Sequence, residues 1–205
     1  MVLIALAFPW NLSLRVVYMR VIAGTCRGRK LLAPPGVTTR PTSDRVKEAL
    51  FSILASRIDL ADVRVLDICA GSGSLGIEAL SRGAGSCCFI ECNQSVKVIL
   101  EKNILATCCQ DRSEILTMDA LKGLKVIAGR AQCYDLVFFD PPYASELYKT
   151  VPEALDSIGL LAPAAILVAE CSARNPLPES YGRLERFDRR LYGETALELY
   201  ALEEK

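Results

Sequence analysis

Histidine is absent from the 205 residues of this chain, and tryptophan occurs only once. Without histidine there is no Ser-His-Asp or Cys-His catalytic arrangement and no histidine-ligated metal site. A general base, if the reaction uses one, must be a carboxylate, Lys, Tyr, Cys or water. The absence therefore excludes the commonest hydrolytic and metal-dependent chemistries.

Nine cysteines are present, an odd number that includes the adjacent pairs Cys87-Cys88 and Cys108-Cys109. Adjacent cysteines suit neither an ordinary disulfide framework nor C-x-x-C zinc spacing. Most cysteines lie in apolar runs, where they behave as small hydrophobic residues in a reducing compartment. This pattern predicts a cytoplasmic protein without a bound metal.

The segment 1–18 is mostly apolar and carries a single charge, on Arg15. No basic residue precedes the apolar run, as it would in a signal peptide. Pro9 and Asn11 interrupt the run, which does not favour a transmembrane helix. We interpret residues 1–18 as an extension that precedes the true start at Met19, and we expect no membrane association.

After residue 57, short apolar runs alternate with amphipathic stretches, which is typical of parallel βαβ units. We predict an α/β fold, a Rossmann-like sheet of about seven mostly parallel strands with a C-terminal antiparallel hairpin. Residues 19–57 are predicted to form a short basic region with one helix starting near Ser43, and residues 58–205 the core. The predicted strands are 63–68, 87–91, 115–118, 134–139 and 165–170, and the hairpin is 184–202.

The chain has 24 basic and 24 acidic residues, but they are unevenly distributed. Residues 1–57 hold nine basic and two acidic residues, a net charge of +7, so residues 58–205 carry −7. A basic flank on a neutral protein favours binding to phosphate groups. The flank includes Arg27, Arg29, Lys30, Arg40, Arg45 and Lys47.

A glycine-rich loop follows the first predicted core strand, with the spacing Gly71-x-Gly73-x-x-Gly76. Glu91 stands at the end of the next predicted strand. Glycines let a ligand approach the backbone, and an acid about 20 residues further along can accept from ribose hydroxyls. The loop and its spaced acid therefore predict an adenosine-type cofactor.

The negative charge of Asp67 distinguishes between the possible adenosine-containing cofactors. A carboxylate at the end of the strand repels a pyrophosphate but attracts the sulfonium and ammonium of S-adenosyl-L-methionine. A nicotinamide cofactor is thus the weaker alternative. Asp119, after the third strand, is placed to reach the adenine edge, although a helix-capping role is the competing interpretation.

The fourth strand ends in Asp140-Pro141-Pro142-Tyr143. The prolines stiffen the turn and remove backbone donors, so nearby carbonyls can face a ligand. Asp140 and the Pro141 carbonyl can accept both protons of an exocyclic amine, and Tyr143 can stack on its base. The element predicts a site that directs an amine lone pair at a methyl group.

Together these motifs resemble the class I S-adenosyl-L-methionine-dependent amino-methyltransferases. More narrowly, the chain resembles the RsmD family, which methylates N2 of guanine 966 in 16S rRNA. The resemblance begins at Met19 and extends to Tyr200, which is most of the chain. It is carried by MRVIAGTCRGRKL, RPTSDRVKEALFSIL, VLDICAGSGSLGIEALSRGA, FFDPPY and LYGETALELY.

The resemblance implies roles for particular residues and a partner that is either 16S rRNA or an assembling small ribosomal subunit. Nothing in the sequence suggests an obligate partner subunit, so we expect a monomer. The cofactor would contact Asp67, Ala70, Gly71, Gly73, Glu91, Asp119 and Ala120. The guanine would contact Asp140, Pro141, Pro142 and Tyr143, and the RNA would contact Arg27, Arg29, Lys30, Arg40 and Arg45. Alternatives are a DNA adenine or protein glutamine methyltransferase, a nicotinamide oxidoreductase, and a non-catalytic RNA-binding assembly factor.

Overall fold

The structure is a computed structural model that describes residues 19–34, 44–130, 132–142 and 145–203. The extension 1–18 lies outside the described residues. The strands are β1 (Met19–Arg20), β2 (Lys30–Leu31), β3 (Arg64–Ile68), β4 (Ser86–Ile90), β5 (Ser113–Leu116), β6 (Tyr134–Phe139), β7 (Leu161–Ser172), β8 (Ser180–Tyr181), β9 (Leu184–Tyr192) and β10 (Thr195–Leu202). The α-helices are α1 (Asp44–Ala55), α2 (Ser74–Ser81), α3 (Gln94–Ala106), α4 (Ala120–Ala128) and α5 (Leu147–Ser157).

The main sheet has the order β5-β4-β3-β6-β7-β10-β9-β8. Strands β3 to β7 are parallel, and β10 pairs antiparallel with both β7 and β9. The predicted mostly parallel sheet with an antiparallel hairpin is therefore confirmed. The eighth strand is the two-residue β8 at the edge, which is too short to be recognised from sequence periodicity.

Helices cover both faces of the sheet, which explains the continuous apolar runs of the central strands. In β6, Leu136 and Phe138 pack in the layer with α1, α2 and α3. Val137 and Phe139 pack in the opposite layer with α4 and α5. Neighbouring residues along one strand thus serve two different cores.

The N-terminal region packs on the first of these layers. Strands β1 and β2 form a separate two-stranded sheet, in which Met19 pairs with Leu31. Helix α1 buries Val46, Leu50 and Leu54 on the face that packs against this layer. Helix α4 was anticipated only through the alternative interpretation of Asp119 as a helix cap.

The strand order reverses between β3 and β6, which are hydrogen-bonded neighbours. Ligands of open α/β sheets bind beyond the carboxyl ends of the strands at such a switch point. The glycine loop follows β3, and the Asp140 segment follows β6. The fold therefore brings the two predicted motifs to the same edge of the sheet.

Candidate cofactor and amine site

The three glycines of the loop have different surroundings. A Cβ on Gly73, the N-cap of α2, would lie 2.3 Å from Cδ1 of Leu100. A Cβ on Gly76 would lie 2.4 Å from Cε1 of Phe89. At Gly71 the nearest atom would be 3.9 Å away, and φ is 55°. Gly73 and Gly76 therefore allow close packing of α2, whereas Gly71 leaves room for a ligand at the backbone.

Backbone hydrogen bonds close the loop on itself. The amide of Gly73 donates to the carbonyl of Ala70 (2.8 Å), and the amide of Ala70 donates to the carbonyl of Ile90 (3.1 Å). Cys69 has a φ of 62°, a left-handed backbone conformation that residues other than glycine uncommonly adopt. The chain thus turns sharply between β3 and α2.

Asp67 lies near the end of β3 and is buried. Its Oδ2 accepts a hydrogen bond from the amide of Gly76 in the first turn of α2 (3.0 Å). Burial raises the pKa of Asp67 to about 8, and the nearby negative charge of Glu91 adds to the increase. A cationic ligand at this carboxylate would favour its ionised form.

Glu91 follows β4 and is likewise buried. Its Oε2 accepts from the amide of Gly71 (2.9 Å), and its Oε1 accepts from the amide of Asn93 (2.8 Å). Glu91, the residue predicted to bind the ribose, therefore also connects the glycine loop to the end of β4. An ionised carboxylate has about four acceptor sites, so each oxygen can accept a further bond.

Asp119 is the N-cap of α4, and its Oδ1 accepts from the amides of Leu121 (3.0 Å) and Lys122 (3.4 Å). The capping interpretation is therefore correct, and the side chain is also exposed. Ala120 is buried at the start of the helix. Both residues lie beyond β5, at the same edge of the sheet as Glu91.

The Asp140 segment is anchored from two sides. The amide of Asp140 donates to the carbonyl of Ile68 in β3 (3.4 Å). The hydroxyl of Tyr148 in α5 donates to the carbonyls of Glu170 (2.9 Å) and Pro141 (3.3 Å). These bonds fix the carbonyl of Pro141. Pro142 is exposed, and Tyr143 lies outside the described residues.

Carboxylates concentrate at the ends of β3, β6 and β7. Asp140 is half-buried by surface area, but its carboxyl group is removed from most of the solvent. Burial raises its pKa well above the usual value, and the negative charges of Glu170 and Asp67 raise it further. Within the described ranges, no Lys or Arg forms a salt bridge with Asp67 or Asp140. This edge is suited to cations and to hydrogen-bond donors.

Comparison with known proteins assigns the family. The family model described as Conserved hypothetical protein 95 matches residues 19–201. The ribosomal RNA small subunit methyltransferase D of Escherichia coli K12 is 37% identical over 185 residues, which are 90% of each chain. The chain belongs to the RsmD family of methyltransferases.

Two further comparisons agree. The ribosomal RNA small subunit methyltransferase D of Haemophilus influenzae is 38% identical over 170 residues, 82% of this chain and 86% of the relative. The solved structure of the yhhF protein of Escherichia coli is 35% identical, with a TM-score of 0.80. The match covers 92% of this chain and 100% of the solved chain. Membership of this family confirms the Rossmann-like methyltransferase fold and S-adenosyl-L-methionine as the cofactor. The alternative of a nicotinamide oxidoreductase is therefore wrong.

The basic residues of this RsmD-family chain are spread along the first helical layer. Arg27 lies in a turn whose Thr25 and Cys26 amides bond to Ser81, at the far end of α2 from the glycine loop, and Arg29 follows that turn. Eight helical residues span about 12 Å, so these arginines are distant from Asp67. Lys30 lies in β2, and exposed Arg45 lies in the first turn of α1. Arg40 is outside the described residues.

Sequence inspection missed three residues of structural importance for this family member. Glu170 ends the part of β7 beside Asp140, and its place at the end of a predicted strand was an available signal. Tyr148 gave no signal, because its contact with Pro141 depends on how α5 returns to the sheet. Lys47 was counted with the basic flank, but it is buried.

Two features are absent from the described residues. No group of three or more His, Cys, Asp or Glu side chains in that part of the chain could hold a metal ion. No helix there has the length and apolar character needed to cross a membrane.

Proposed function

We propose that this protein transfers a methyl group from S-adenosyl-L-methionine to the exocyclic N2 amine of guanine 966 in 16S rRNA. One observation carries the proposal. The desolvated carboxyl groups of Asp67 and Asp140 lie at the ends of adjacent strands, with no cationic partner in the described part of the chain. Such carboxylates need a cation or hydrogen-bond donors, which the cofactor and an amine supply. The names of the relatives, which refer to small-subunit rRNA, support RNA as the substrate.

The proposed cofactor contacts follow the loop from β3 to α4. Asp67 and the backbone of Ala70, Gly71 and Gly73 would hold the methionine end, and Glu91 the ribose. The space at Gly71 supports this, because a side chain there would narrow the approach to the backbone. Asp119 and the amide of Ala120 would meet the adenine. When bound, S-adenosyl-L-methionine supplies a methyl group on a positively charged sulfur.

In the proposed substrate pocket, Asp140 and the carbonyl of Pro141 accept the two protons of the guanine amine. The lone pair of that nitrogen is then directed at the methyl group, which is catalysis by orientation. Pro142 would keep the turn rigid, and Tyr143 would stack on the base. Burial and neighbouring negative charge raise the pKa of Asp140, and the positive charge of the bound cofactor would favour the ionised form that accepts protons. Asp140 can take the proton that the methylated nitrogen loses.

The RNA would be held by the N-terminal region 19–57, through Arg27, Arg29, Lys30, Arg40 and Arg45, and the methyltransferase core would be residues 58–205. The target base would leave its stack to enter the pocket. Since Arg27 and Arg29 lie near one end of α2 and the glycine loop at the other, the contacts would extend over much of this face. A substrate with extended folded structure, such as rRNA, suits that distance.

The test is methyl transfer to 16S rRNA and to small-subunit particles, followed by mass spectrometry of the nucleosides. We expect one N2-methylguanosine per 16S rRNA from the wild-type protein. Asp140→Ala should lower kcat by about 100-fold or more while S-adenosyl-L-homocysteine still binds. Asp135→Ala is the matched control, because Asp135 lies at the other end of β6 and accepts from the amide of Arg64 (2.8 Å).

Several outcomes would contradict the proposed reaction or the proposed site. Methylated adenine in DNA or a methylated glutamine in protein would indicate one of the other amino-methyltransferase classes. Particle binding without methyl transfer would indicate an assembly factor. Wild-type activity in Asp140→Ala would overturn the assignment of the site but not the reaction.

A further inference from the structure

A buried lysine joins the N-terminal region to the start of α2. Lys47 in α1 has a side-chain exposure of 1%. Its Nζ donates to the carbonyl of Arg20 (2.6 Å) and to Oγ of Ser74 (3.2 Å), and it lies 3.2 Å from Oε2 of Glu78. An ammonium has three N–H donors, and each has an acceptor here. The side chain is therefore committed to the interior, and it is not available to RNA.

Glu78, the partner of Lys47, holds the backbone of the N-terminal region. Its carboxylate accepts from the amides of Ile22 (2.7 Å) and Ala23 (2.9 Å), and from Nε of Arg82 (2.8 Å). It is fully buried. One carboxylate in α2 thus fixes the chain that leaves β1, while Lys47 fixes the carbonyl just before it.

The same lysine reaches the glycine loop. Ser74, which accepts from Lys47, is the first residue of α2 and follows Gly73 directly. Further along the same helix turn, the amide of Gly76 binds Asp67. A shift of Ser74 would therefore displace the helix turn that holds the proposed cofactor carboxylate.

A second tie connects the same two parts of the chain. Asn103 of α3 accepts from the amide of Leu32 (2.8 Å) through Oδ1. Its Nδ2 donates to the carbonyls of Leu32 (3.0 Å) and Ser72 (2.9 Å). Ser72 lies between Gly71 and Gly73. The N-terminal region thus contacts the glycine loop through both of its serines, by way of Lys47 and Asn103.

We propose that Lys47 is a positioning residue that couples the docking of the N-terminal region to the cofactor-binding conformation of the glycine loop. The inference rests on the proposed function, in which the loop holds S-adenosyl-L-methionine and the N-terminal region grips RNA. Coupling between two binding sites is reciprocal. Because RNA is held by the docked N-terminal region, RNA binding tightens cofactor binding, and the cofactor tightens RNA binding by the same factor.

The amides of Ile22 and Ala23 report this coupling, because they bond to Glu78 and do not border the glycine loop. In the wild-type protein, S-adenosyl-L-homocysteine should slow their hydrogen exchange several-fold. A 16S rRNA transcript should lower the dissociation constant of S-adenosyl-L-homocysteine by a similar factor. Lys47→Met should abolish both effects, and Lys47→Arg should restore part of each.

Arg186→Met is the matched control, since Arg186 is also a cation bound to a buried carboxylate, that of Glu198 (2.6 Å), in the C-terminal hairpin. It should lower Tm and leave both couplings intact. Ser74→Ala removes only the contact of Lys47 with the loop and keeps the Lys47–Glu78 pair. It should weaken both couplings at nearly unchanged Tm, which tests the inference if Lys47→Met does not fold.

The outcomes separate the two proposals. If the wild-type protein binds S-adenosyl-L-homocysteine and methylates rRNA, but Ser74→Ala and Lys47→Met keep both couplings, Lys47 only stabilises the fold and the inference is wrong. The inference is also wrong if an active wild-type protein shows neither coupling. If the wild-type protein neither binds the cofactor product nor methylates rRNA, the proposed function fails instead.

Discussion

Glu78 and Glu198 are buried carboxylates with two cationic neighbours each, whereas the desolvated carboxyl groups of Asp67 and Asp140 have none among the described residues. Glu78 contacts Lys47 and Arg82, at 3.2 and 2.8 Å. Glu198 contacts Arg186 and Arg189, at 2.6 and 3.0 Å. The first two carboxylates are neutralised by the fold itself, and the other two are not.

The pKa values of Glu198 and Asp67 follow this difference. Burial opposes ionisation of Glu198, but hydrogen bonds from Arg186, the Leu177 amide and Arg189 outweigh it, and its pKa is lowered. At Asp67 burial dominates, and the pKa rises to about 8. An acid that the fold leaves without a cation is poised for a ligand that brings one. Buried acids in this protein are therefore structural where an Arg or Lys meets them, and are proposed as functional where none does.

The largest expected effect comes from removing a neutralised acid. Glu78→Ala leaves Lys47 buried without its counter-charge and leaves the amides of Ile22 and Ala23 without their acceptor. We expect a loss of about 3–5 kcal/mol in the free energy of unfolding, measured by urea denaturation.

The exposed ion pair of Arg20 with Asp44 (2.6 Å) provides the comparison for Glu78→Ala. Asp44→Asn should cost at most about 1 kcal/mol, because water screens the pair. Equal losses in the two variants would show that burial of the Glu78 network adds nothing.

A smaller effect is expected from the titration of Asp67. Its raised pKa means that the apo fold favours the neutral acid, so this group's contribution to stability is lost as the pH rises from about 4 to about 8. A ligand ammonium requires the ionised acid. The affinity for S-adenosyl-L-homocysteine should therefore increase about fivefold between pH 7 and pH 8, as measured by calorimetry.

Asp67→Asn serves as the control for that titration. It cannot ionise, so its weaker affinity should stay flat over the same pH range. A wild-type affinity that does not change from pH 7 to pH 8 would show that Asp67 does not titrate against the ligand.

The smallest expected effect concerns basic residues that form no salt bridge with the four buried acids compared above. If Arg45 contacts one phosphate, Arg45→Gln should reduce the slope of log K against log salt for 16S rRNA by about 1. Arg190→Gln, which breaks the contact of Arg190 with Asp188 in the hairpin (3.0 Å), should leave the slope unchanged. The salt dependence of filter binding measures both, and equal slopes for wild type and Arg45→Gln would remove Arg45 from the interface.

The sheet was predictable because its central strands are apolar on both faces and because strands alternate with helices along the chain. Helix α4 was harder to predict, since it contains Gly123, which normally weakens a helix. The structure explains this glycine, because a Cβ there would lie 2.7 Å from Cδ1 of Ile90. The helix is stabilised by packing, which a local pattern does not contain.

The convergence of the candidate residues at one edge was predictable where they end neighbouring strands of the sheet, as Asp67, Glu91 and Asp140 do. The different roles of the loop glycines were not, because they depend on Leu100 and Phe89 from other elements. Charge counting also misjudged Lys47, whose partner Glu78 belongs to a different helix. A count of charges along the chain cannot distinguish a surface lysine from one that a distant acid neutralises.

Strand β10 lies between β7 and β9, although it is the last strand of the described chain. Because β7 precedes β10 along the chain, its edge with Leu167 and Val168 has no partner until β10 pairs with it. The sheet can close only after β10 has been made. Until then β7 presents an unpaired apolar strand edge, which is the kind of edge that pairs with other chains.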